Sequence, residues 1–243
     1  MRVIVRVVAQ PLRDWLGALD ACVGTGHRAH LAVLISALLL SWWIYVPIHE
    51  LLHAWGCLLA GGQVTRLEID WIYGGALLAK VFPYVTVGSR YAGQLTGFDT
   101  GGSDLVYLMT DALPFALTCL VGVPLLRAAS RRGGGWGCAM LGASLPLAYA
   151  PFVSLQGDYY EMGSILVSRA VAVYTPGASV GRWRSDDLFK LVGDLAAQAG
   201  AVDAAGMTAS LAVGVALAFA TYWAGVLVAN TLSPRASAPP PRT

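Results

Sequence analysis

LAVLISALLLSWWIYVPIHELLHAWGCLLA, residues 31–60, is an apolar run that carries His49, Glu50 and His53. About 20 apolar residues of helix cross the hydrocarbon core of a bilayer, so this stretch spans with length to spare. Pro47 removes one backbone donor and crowds the Trp43 carbonyl four residues back, so the helix is expected to bend there. Charged side chains cost on the order of 2.5–3.5 kcal/mol each in the middle of a span, and ionisable residues there point to function. Three fall within five positions of this span.

The rest of the chain agrees with a membrane setting. Of 243 residues, 56% are hydrophobic and 12% are charged, about half the roughly 25% charge of a soluble domain. The expected fold class is an α-helical polytopic membrane protein of about four to five membrane segments. Further spans are expected at about 105–127, 136–154 and 207–231, and residues up to Tyr174 run apolar again after a turn at SLQGDYY. A net charge of +2, scattered along the chain, leaves no basic footprint and excludes nucleic acid as a partner. The lipid bilayer is the expected environment, as a multi-pass protein of a bacterial cytoplasmic membrane. Nine basic residues on one side against seven on the other set no orientation.

Residues 1–30 form an N-terminal segment without a cleavable-signal pattern, and 11–23 read as an amphipathic helix lying in the membrane interface. The HExxH-containing membrane core covers 31–175. Within it, the partial alternation over 63–88 and the Gly74-Gly75 pair predict a membrane-associated β-hairpin, and 92–103 reads as loop. Residues 176–206 hold a Pro176-Gly177 turn and an amphipathic helix over 186–199. A transmembrane helix follows at 207–231, and 232–243 is a disordered tail. The cysteines, Cys22, Cys57, Cys119 and Cys138, show no CxxC spacing, so no disulfide framework is expected.

His49-Glu50-Leu51-Leu52-His53 puts two imidazoles four residues apart, on one face of a helix and within reach of one zinc ion. Glu50, beside the first ligand, can accept a proton from water at the metal. A di-iron histidine-box site needs about eight His, and the chain has four. His27 and His30 lie about 20 residues, roughly 30 Å of helix, before His49 and cannot share its metal. A catalytic zinc needs a third protein ligand. The membrane side that holds the motif is also reached by the start of the second span and the end of the third. Asp158 leads there, with Glu161 and Asp111 as alternatives and Cys57 read as packing.

The motif resembles the site-2 protease family of intramembrane zinc metalloproteases. The resemblance runs from His49-Glu50-Leu51-Leu52-His53-Ala54 through Gly61, Val64 and Tyr73-Gly74, then reaches Asp158, covering roughly residues 40–175. Leu52 stands where that family usually has Gly. Pro151, Leu155, Gln156, Gly157 and Asp158 stand where it has an Asn-Pro…Leu-Asp-Gly motif, and whether Gln156 replaces the missing Asn stays open. The resemblance implies a three-helix catalytic core, zinc held by His49, His53 and Asp158, Glu50 as the catalytic residue, and a transmembrane or membrane-associated protein substrate. Two other readings stay open. One is a CAAX-prenyl-protease-like enzyme, in which Glu161 is the third ligand. The other is a non-catalytic membrane protein that binds metal or a client.

Overall fold

The computed structural model describes residues 2–24, 28–175, 181, 183–195 and 200–232. The expected Pro176-Gly177 turn, His27 and the tail from 233 lie outside them. The first helix, α1 (Arg2–Val23), is longer than the expected 11–23 and runs through Pro11. Proline removes the donor that the carbonyl four residues earlier would have used. That carbonyl, Val7, accepts instead from Trp223 Nε1 at 3.3 Å.

Helix α2 (Arg28–Leu59) is continuous through Pro47. After the small sheet described below come α4 (Asp104–Ala112) and α5 (Val123–Arg132), joined by a 3-10 turn at Leu113–Phe115 and a π turn at Thr118–Gly122. Helix α6 (Gly134–Val153) and α7 (Asp158–Tyr174) are separated by a 3-10 turn at Ser154–Gln156. Then follow α8 (Leu188–Leu195), inside the expected amphipathic stretch, and α9 (Ala201–Leu232). Four helical stretches are long and apolar enough to cross a membrane: Arg28–Leu59, Asp104–Arg132, Gly134–Gln156 and Ala201–Leu232. Leu39 and Leu40 are 64% and 59% exposed, which makes this face of α2 a lipid-facing surface rather than a core face. The breaks carry their own compensation, because the Leu147 carbonyl freed by Pro151 accepts from Thr118 Oγ1 at 2.6 Å.

The expected hairpin over 63–88 is not formed. Strand β1 (Gln63–Ile69) is the centre of a three-stranded sheet, pairing parallel with β2 (Val85–Val87) and antiparallel with β3 (Gly93–Asp99). Gly74, at φ 81, caps a 3-10 turn over Trp71–Tyr73 and leads into α3 (Gly75–Leu78). The Gly-Gly pair therefore starts a crossover, and a crossover returns the next strand parallel rather than antiparallel. The loop expected over 92–103 contains β3, whose GQLTGFD sequence has little strand propensity and is held by pairing with β1. Leu67, Ile69 and Val85 pack on Leu51 and Ala54, so the sheet sits on the C-terminal half of α2.

Cys22 and Cys138 form a disulfide that ties the end of α1 to the start of α6 across 116 positions. This corrects the expectation of no disulfide. Spacing alone could not pair them, because they meet only when α1 packs on α6. Replacing either cysteine with serine is expected to lower stability by about 2–4 kcal/mol. A lowered thermal midpoint in detergent, matched by the wild type under reducing conditions, is the measurement.

Candidate metal centre

His49 and His53 lie one turn apart near the end of α2, and Asp158 is the first residue of α7. One ligand atom from each of the three lies within 4.8 Å of the others. His49 Nε2 and His53 Nε2 are 3.1 Å apart, and the Asp158 oxygens stand 3.8 Å from the first and 3.7 Å from the second. Atoms about 2.0–2.2 Å from one zinc ion must lie within about 4.2 Å of each other, so the donor set fits that metal.

The outer nitrogens are held as metal-binding histidines require. A carbonyl can only accept, so His53 Nδ1 must carry the proton it donates to the Thr110 carbonyl at 2.9 Å. Its Nε2 lone pair then faces the site. His49 Nδ1 is 2.7 Å from the Tyr45 hydroxyl, one turn earlier on the same helix. With Nε2 turned to a metal, Nδ1–H donates to that oxygen. Asp158 accepts from Ser154 Oγ at 2.6 Å, and its place in the first turn of α7 puts its charge at the positive helix end.

Two glycines set the approach of neighbouring elements. A Cβ on Gly56 would lie 2.3 Å from the Met109 carbonyl oxygen, so only glycine lets α4 come close enough to present Thr110 to His53. A Cβ on Gly93 would lie 2.5 Å from Glu50 Cγ. The first residue of β3 thus lies directly against the Glu50 side chain.

The site opens into a cavity of about 610 Å³, lined by His49, Glu50, His53 and Asp158 together with groups from β3, α4 and α7. Among the two alternative ligands, Glu161 accepts from the Tyr107 hydroxyl at 2.5 Å. Asp111 is buried with an unpartnered carboxylate oxygen. Both line the cavity, and neither belongs to the three-residue group. Gln156 is exposed and is not a lining residue. Cys57 is buried, with Sγ 3.6 Å from the Gln63 carbonyl. His30 Nδ1 is 3.3 Å from the Cys22 carbonyl, at the opposite end of α2.

No protein-family model, curated protein or solved structure matches the chain. The case for chemistry therefore rests on the geometry. Four positioning groups went unremarked in the sequence reading: Tyr45, Thr110, Ser154 and Gly93. Tyr45 was accessible, since it precedes His49 by one helical turn. Ser154 likewise precedes Asp158 by four residues, whereas Thr110 and Gly93 act across elements and have no local signature.

Gly56→Ala is expected to push α4 off α2 and break the bond between His53 and Thr110. Losing the partner of a metal-binding histidine typically costs 10- to 100-fold in affinity. Zinc titration of the purified variant against wild type reads that loss directly.

Proposed function

We propose that the chain is an intramembrane zinc metalloprotease that hydrolyses peptide bonds of transmembrane or membrane-associated proteins. The observation that carries the reading is the convergence of His49, His53 and Asp158, with Glu50 lining the same cavity. His49, His53 and Asp158 would hold the ion. When bound, zinc supplies Lewis acidity for a carbonyl and acidifies water.

The chain's own groups account for the remaining steps. Glu50 accepts a proton from the attacking water and returns it to the leaving amine, a general acid–base role worth about 10²- to 10⁴-fold. Gly93 and the sheet restrict where the Glu50 carboxylate can move, which favours a short proton path. The polar cavity gives water a place among apolar helices, where non-helical backbone is tolerated because it lines a cavity. The break at Ser154–Gln156 is such a place.

The CAAX-like reading gains nothing from Glu161, which is engaged by Tyr107 and stands outside the three-residue group. A purely structural metal site needs no acid beside it, and Glu50 in the cavity favours catalysis over that alternative.

The decisive comparison is wild type, Glu50→Gln and His53→Ala in membranes that contain the native substrates. Glu50→Gln is expected to keep bound zinc and to lose at least about 10²-fold in cleavage, so uncut substrate accumulates. His53→Ala and Asp158→Ala are expected to lose zinc and activity together. An unchanged fragment pattern in Glu50→Gln removes the proteolytic reading.

Gly93→Ala separates placement of Glu50 from metal binding. The added methyl displaces Glu50 and leaves the three ligand residues alone. Zinc content at the wild-type level with turnover reduced by about tenfold or more is the expected result.

A further inference from the structure

The cavity contains a second acidic centre that the proposed chemistry does not use. Asp111, on α4, is 4% exposed, and Glu161, on α7, is 8% exposed; both line the cavity. Asp111 Oδ2 is buried and has no hydrogen-bond partner among the described residues. Leaving a buried carboxyl oxygen without a partner is costly, so a donor that enters the cavity at Asp111 is favoured. Glu161 has one oxygen fixed by the Tyr107 hydroxyl.

Among the described lining residues, the one arginine does not fill that role. Arg184 also lines the cavity, but its guanidinium forks onto Asp104 at 2.6 and 3.1 Å and its Nε donates to Ser168 at 2.9 Å. With its fork committed to Asp104, Arg184 is not the partner of Asp111 or Glu161.

Position relates this pair to the reaction. Glu161 follows Asp158 by three residues on α7, which puts the two side chains about 5–6 Å apart on one helix face. Asp111 is the residue after Thr110, whose carbonyl holds His53. An extended peptide advances about 3.3 Å per residue, so a side chain reaching this pair belongs to a residue within about two of the bond at the metal.

We infer that Asp111 and Glu161 form a subsite for a cationic side chain, lysine or arginine, of the polypeptide being cut. The inference rests on the proteolytic reading and narrows its substrate class to membrane proteins with a basic residue beside the scissile bond. Lys and Arg are common at the ends of membrane spans, where such a segment meets the enzyme.

The test uses the full-length protein in proteoliposomes with a transmembrane-peptide library randomised over its juxtamembrane residues, and maps cuts by mass spectrometry. Wild type should cut with Lys or Arg at one fixed position within two residues of the bond. Asp111→Asn and Glu161→Gln should each weaken that preference by about tenfold or more, with bound zinc and thermal midpoint unchanged. Both substitutions keep side-chain size and shape, and the thermal midpoint reads folding separately from preference. Glu50-dependent cutting without a basic preference, or a preference indifferent to both variants, overturns the subsite.

Absence of Glu50-dependent cutting counts against proteolysis instead. Binding then decides the subsite by itself, using fluorescent hexylguanidinium and its neutral analogue hexylurea on the Glu50→Gln protein. Tighter binding of the cation, lost in Asp111→Asn and Glu161→Gln, supports the cationic subsite. Equal binding of the two probes overturns it.

Discussion

The Thr110 carbonyl accepts the proton on His53 Nδ1 because α4 lies against α2 at Gly56, with no side chain between the two backbones. That single hydrogen bond fixes the tautomer of His53, and so decides that Nε2 turns toward His49 and Asp158. It also joins two membrane segments, α2 and α4, at a fixed register. In a bilayer, tail-like side chains lose little by facing lipid, so helix register is set by close small-residue contacts and by polar bonds such as this one. The placement of His53 beside His49 and Asp158 and the register of α2 against α4 are one constraint.

The sheet supplies the other half of the arrangement. Its apolar face, Leu67, Ile69 and Val85, rests on Leu51 and Ala54, the residues of α2 that alternate with the site residues around the helix. One side of this turn of α2 therefore anchors the sheet, while the other faces the cavity. β3 pairs with β1 and brings Gly93 against Glu50. The packing that stabilises the sheet thus also positions Glu50 beside His49, His53 and Asp158.

Charge is distributed by the same economy of polar groups. Arg184 and Arg169 are drawn to Asp104 at the mouth of α4. The carboxyls that line the cavity have hydroxyl partners, Ser154 for Asp158 and Tyr107 for Glu161, or none among the described residues, as at Asp111 Oδ2. A hydroxyl satisfies one lone pair without cancelling the charge. Among the described residues, hydroxyls rather than cations are thus the partners of Asp158 and Glu161.

The membrane class, the four spans and the HExxH pair were legible from the sequence, because hydropathy over a span and the four-residue spacing on a helix are local properties. Asp158 could be singled out because carboxylates are rare in so apolar a chain, but the sequence left it beside Glu161 and Asp111. Only the fold separates them, through the break at Ser154–Gln156 that starts α7 with Asp158 turned to the two histidines. The β1–β2 crossover, strand β3 and the Cys22–Cys138 pair were hidden for a related reason. GQLTGFD is a strand only when β1 lies beside it, and two cysteines separated by 116 positions meet only when α1 packs on α6. What the sequence determined by itself was each segment's solvent and helical face. Which segments touch, and hence which carboxylates, carbonyls and glycines surround the histidines, was decided by tertiary packing, because those contacts are non-local and leave no periodic trace in the chain.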